Sequence, residues 1–112
     1  MDIQFDQMID AINEISNELE YAANLNFAKK SMGLKGQAAE TFARKATDEQ
    51  VQVDYYNRAH GLRKKMAYEQ QQAVVKKLAA KKARQALAHA SEQGVFTGQQ
   101  DQLVELLEQL EI

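Results

Sequence analysis

The sequence predicts an all-α protein: an antiparallel helical hairpin with a long central helix and a short C-terminal helix folding back. Three observations carry this. The 112 residues include no proline and only five glycines. They are rich in Ala, Gln, Glu, Lys and Leu, the residues that lose least on entering a helix. Apolar side chains also recur at alternating spacings of three and four, the period of one helical face. A domain of this length buries only about two-thirds of the surface its unfolded chain exposes, so a large enclosed active site is not expected.

The first helix is expected over about residues 3–32. Phe5, Met8, Ile12, Ile15, Leu19 and Ala22 mark its apolar stripe, which Ile9 and Ala23 widen. Asp10, Glu14 and Glu18 fall four apart on another face. Paired carboxylates raise the question of acid-base or metal chemistry, but no Glu-x-x-His accompanies them, and a solvated acidic face is the simpler reading.

A turn over 33–36 follows, framed by Gly33 and Gly36, with Gly33 placed to adopt the left-handed conformation just past a helix end. The long helix is expected over about 37–92, with Ala39, Phe42, Ala46, Val53, Tyr56 and His60 on its first stripe. Thr47 to Gln50, "TDEQ", resembles a capping box and would allow a break near 47, but no glycine or proline supports one. Gly61 is the one weak point, and a kink there is left open. A turn centred between 34 and 35 pairs residues whose numbers sum to about 69. Phe27 then meets Phe42, Leu19 meets Gln50 and Val51, Ile15 meets Val53 and Ile12 meets Tyr56, while Asp10 and Asp6 approach Arg58 and Arg63.

Beyond about residue 67 this helix would overhang the first. "GVFTG" makes a second turn over 93–98, in which Thr97 and Gln100 resemble a capping box. Leu103, Val104, Leu106, Leu107 and Leu110 then form a short helix over about 99–111. A register sum near 192 lays Leu103 and Leu107 over Ala86, Leu87 and Ala90, with Glu108 beside Arg84 and Glu111 beside Lys81.

Charge is segregated along the chain. Residues 1–26 carry six acids and no base, residues 27–90 all fourteen bases and five acids, and residues 91–112 five acids and no base. Such blocks suit helices that pack against one another. The densest basic run comprises Arg58, Arg63, Lys64, Lys65, Lys76, Lys77, Lys81, Lys82 and Arg84, against the single acid Glu69 between Tyr55 and Arg84. Neutralisation by the acidic helices, or a protein partner, is the favoured reading; phosphate binding with Tyr55, Tyr56 and Tyr68 stacking on bases is the rival.

No catalytic residue, cofactor site or metal site is predicted. His60 and His89 are 29 residues apart, His89 and Glu92 alone do not make a metal site, and "GLKG" lacks the Lys-Ser/Thr ending of a phosphate loop. Without cysteine, disulfides and thiolate sites are excluded. The acidic N-terminus is unlike a signal peptide and no apolar run is long enough to span a bilayer, so the expected location is the cytoplasm, or outside the cell by export without a cleaved signal.

The stretch "GLKGQAAETF", with Gly33, Leu34, Gly36, Ala38 and Phe42, resembles the L-x-G turn of the small helical-hairpin proteins of type VII (ESX) secretion, in which W-x-G or L-x-G is followed by a small residue and then an aromatic. The likeness covers about residues 1–60. It implies a helical hairpin that pairs with a related partner, is exported, or helps a larger L-x-G toxin reach the secretion machine. Tyr56 is followed four residues later by His60 and Tyr68 by Gln72, so the family's Tyr-x-x-x-Asp/Glu export signal is not met. That suits a partner that is not exported, or is co-exported. The expected role is therefore a non-enzymatic interaction module docking another helical protein, in a homo- or hetero-oligomer, through Ile9, Ile12, Phe42, Val53 and the overhanging Val74, Val75 and Leu78. A nucleic-acid-binding helical protein using residues 55–84 is the alternative. No small-molecule substrate is expected.

Overall fold

The computed structural model describes the backbone of residues 3–62 and 68–111, and the side chains of residues 4–49 and 72–111. The chain is all-α, with helices α1 (Ile3–Ser31), α2 (Gly36–Leu62), α3 (Tyr68–Glu92) and α4 (Gly98–Glu111) and no strand among the described residues.

α1 is the element on which the others assemble. It packs against α2, α3 and α4, whereas no contact between α2 and α4 is found among the described residues. Its aliphatic stripe faces α3 and α4: Ile12 and Leu19 are almost fully buried, in one cluster with Val75, Ala79, Ala80, Ala83, Ala86 and Ala90 of α3 and Leu103, Leu107 and Leu110 of α4. α3 contributes mainly alanines to this cluster, which lets its backbone come close to the large side chains of α1 and α4. Full burial of each Ile or Leu contributes about 1.5–3 kcal/mol.

The seam between α1 and α2 is built differently. Ala23, Ala28, Ala39 and Ala43 are fully buried. Asn24 Nδ2 donates to Thr47 Oγ1 at 3.1 Å, and that hydroxyl donates in turn to the Ala43 carbonyl at 2.8 Å. Phe27 and Phe42 stack with ring centroids 6.3 Å apart, the contact that a register sum of 69 requires. Helix α2 runs unbroken through Thr47, whose hydroxyl is used across the seam and toward the preceding turn rather than as a cap. The other expected pairings of the hairpin involve Gln50, Val51, Val53, Tyr56, Arg58 and Arg63 and lie outside the described side chains.

The single long helix over 37–92 is corrected. A straight helix of that length would measure about 84 Å, but the longest dimension of the molecule is 48 Å. α3 instead lies along α1: His89 meets Glu20, and Asn26 Nδ2 donates to the Gln93 carbonyl at 3.2 Å. The physical reason is the aliphatic stripe of α1. Overhanging, α3 would leave its alanine face and Val75 in water; folded back, the same residues complete the core. α2 continues through Gly61 to Leu62, and residues 63–67 lie outside the described residues.

The helix ends at the two described turns have their own stop or start signals. At the end of α3, the Val95 amide donates to the Ala90 carbonyl at 2.8 Å and the Gly94 amide to the Ser91 carbonyl at 3.1 Å. With Gly94 at φ 71°, these two bonds form a Schellman cap. The start of α4 has the expected capping box: Thr97 Oγ1 accepts from the Gln99 amide at 3.2 Å, and the Gln100 side chain accepts from the Thr97 amide. At the first turn the Leu34 amide donates to the Ala28 carbonyl at 3.0 Å, with Gly33 and Gly36 both at positive φ.

Leu103→Ala should destabilise the protein by about 2–4 kcal/mol in urea unfolding, while Val104→Ala on the exposed side of the same helix should change stability by less than about 0.5 kcal/mol. Thr97→Ala, which removes the cap of α4, should cost about 1 kcal/mol.

Candidate interaction surfaces

The L-x-G turn sits at one end of the molecule. Leu34 is half-buried over the reversal, Phe42 is half-buried against Phe27, and Ala38 is exposed, the buried small residue being the adjacent Ala39. Lys29 and Lys30 occupy the last turn of α1, where the helix dipole favours cations, and Lys35 stands in the turn. The connection between α3 and α4 reaches the same end of the molecule, since Asn26 bonds Gln93, and a side-chain carbon placed on Gly94 would lie 3.7 Å from Lys30 Nζ.

The residues expected to form a partner interface are placed otherwise. Ile9 and Ile12 are 3% and 0% exposed and Val75 is 9% exposed, all within the core of this chain. Val74 and Leu78 are half-buried on α3, and Val53 lies outside the described side chains. The interface built on an overhanging second helix is thus corrected, because the helix folds back and α1 uses these residues itself.

The basic run divides in the same way. Arg58, Arg63, Lys64 and Lys65 lie outside the described side chains. On α3, Lys77, Lys81 and Arg84 are exposed and Lys76 and Lys82 are half-buried. Arg84 forms an ion pair with Glu111. The sequence register instead assigned Glu108 to Arg84, so α4 sits roughly one turn nearer the loop than expected; the seating of Leu103, Leu107 and Leu110 in the core sets this depth.

Two polar contacts had no counterpart in the sequence reading. His89 Nδ1 lies 2.7 Å from Glu20 Oε2, both side chains being largely sheltered, and a carboxylate can only accept, so Nδ1–H is the donor. Ser16, fully buried within α1, donates to the Ile12 carbonyl at 2.6 Å. A buried serine that bonds its own preceding turn needs no outside partner, and no periodic pattern marks it. His60 lies outside the described side chains. Among the described residues no group of three His, Cys, Asp or Glu side chains could hold a metal ion, and no helix is long and apolar enough to cross a membrane.

The described surface carries an apolar tip with Lys29, Lys30 and Lys35, a basic outer face on α3, and an acidic outer face on α4. No family model, curated protein or solved structure matches the chain.

His89→Ala should destabilise by about 1 kcal/mol, because it leaves the sheltered Glu20 without its partner. Arg84→Ala, at an exposed pair, should cost less than about 0.5 kcal/mol in the same unfolding measurement.

Proposed function

We propose that the chain is a non-enzymatic helical interaction module, a targeting or chaperone partner for a larger helical protein of the L-x-G type. The observation that carries this reading is the position of α2. It lies at the edge of the assembly, packed on α1 and, among the described residues, touching α3 but not α4. Over its described first half it buries only Ala39, Ala43 and Thr47. Gln37, Thr41, Arg44, Lys45 and Asp48 remain exposed along it. An edge helix of this kind can take a second helical hairpin alongside, making a four-helix contact at the usual packing distances. The resemblance of "GLKGQAAETF" to the L-x-G turn supplies the class of partner. On this reading the protein acts in the cytoplasm, or leaves the cell with its partner without a cleaved signal.

Coexpression with a larger helical protein that carries its own L-x-G segment tests this. A stoichiometric complex should form, and the double variant T41R/D48R should weaken it at least tenfold while leaving thermal unfolding nearly unchanged. A chain that stays free of that protein, or a complex indifferent to the α2 variant, contradicts the reading.

The exposed Lys77 and Lys81 favour a second reading, nucleic-acid binding along α3. Its mark is salt dependence. Two phosphate contacts predict an affinity for duplex DNA that falls with salt with a logarithmic slope of roughly −2. Lack of binding at low salt, or binding without that dependence, rules it out.

A further inference from the structure

Four large apolar side chains are exposed among the described residues: Phe27 at 37%, Met32 at 45%, Phe96 at 77% and Val104 at 42%. The first three stand at the loop end of the molecule, among Lys29, Lys30 and Lys35. Val104 stands alone on the outer face of α4, with Asp101 three residues before it, Glu105 beside it and Glu108 four residues after. These spacings put Val104 and the three acids on one helical face. Neither the three lysines nor these three acids form an ion pair among the described residues, in contrast to Glu111, which is held by Arg84. One chain thus carries an apolar tip with three bases and, starting from the same end, an apolar acidic face on α4, whose charges are not paired with one another among the described residues.

We infer that the tip of one molecule docks on the outer face of α4 of a second copy, and that each copy gives and receives this contact across a two-fold axis. Phe96 and Met32 then cover Val104 of the other molecule, while Lys29, Lys30 and Lys35 face Asp101, Glu105 and Glu108. Charge complementarity selects the occupant, since the surface that fits the tip is present on the chain itself, three acids for three bases. Size selects the reciprocal arrangement. The end of the molecule measures at most 28 by 19 Å, about 530 Å², which is below the roughly 800 Å² per partner of a stable interface. One tip contact falls short, and a reciprocal pair supplies the difference. A reciprocal pair also closes, where a single head-to-tail contact would continue into a filament. This surface is separate from α2, so the inference stands apart from the proposed function.

Sedimentation equilibrium of the full chain at low and high salt tests it. The expected result is a dimer that weakens as salt rises, with both K29E/K30E/K35E and D101K/E105K/E108K raising Kd at least tenfold. Mixing the two reversed variants should restore a dimer close to the original affinity, because both contacts are complementary again in the mixed pair. That restoration also distinguishes lost docking from lost folding. The α2 variant T41R/D48R should leave the dimer unchanged. A chain monomeric at every concentration, a dimer unaffected by the charge reversals, larger open-ended assemblies, or a mixture that stays monomeric would each overturn the inference.

Discussion

The structure depends on one constraint: α1 has apolar surface on more than one side and must cover all of it. One side carries Ile9, Ile12, Ile15 and Leu19, side chains large enough to need two neighbours. The other carries Ala28 with Asn24 one turn before it, and accepts a single helix at close range. α2 satisfies the second side through small residues and one polar cross-link. α3 and α4 together satisfy the first. A two-helix hairpin would leave the aliphatic stripe only partly covered, and the exposed remainder would cost more than the chain reversal between α2 and α3. Full burial of Leu103 and near-full burial of Leu110 are consequences of the same demand.

Electrostatics acts within this frame as a guide to register more than as a source of stability. The acidic first and last blocks and the basic middle one approach each other where α1, α3 and α4 pack. The pairings are few among the described residues, and the exposed one between Arg84 and Glu111 is worth little by itself. Much of the charge stays unpaired, on the tip and on α4. That residue of unneutralised charge, next to exposed Phe96 and Val104, is what gives the surface its directional character.

Much of the fold is legible in the sequence because it follows local rules. The periodic stripe of α1, the glycines of the first turn, the Thr97–Gln100 capping box and the leucines of α4 each announce an element, and the Phe27–Phe42 contact follows from counting residues about the turn. The break between α2 and α3 is not legible. Residues 62–67, "LRKKMA", hold no glycine or proline and suit a helix well. The observed return is a tertiary effect, since α3 gains more by lying on α1 than by extending α2. The alanines of α3 carried the information in their spacing, at 79, 83, 86 and 90, but alanine is as common on exposed helical faces as on buried ones. The expected partner surface failed for the same reason, because Val75 joins the core only once α3 has folded back. The contact of Glu20 with His89 belongs to that return as well, linking residues no local pattern connects.

The central claim is that α3 returns along α1, and a distance between spin labels on Glu18→Cys and Ala88→Cys tests it most directly. Both positions are exposed, so the labels leave the core undisturbed. The folded arrangement predicts a short distance, within about two helix diameters, or 20–25 Å. A continuous second helix would place residue 88 about 55 Å from the level of residue 18. A distance distribution centred near that longer value would contradict the account.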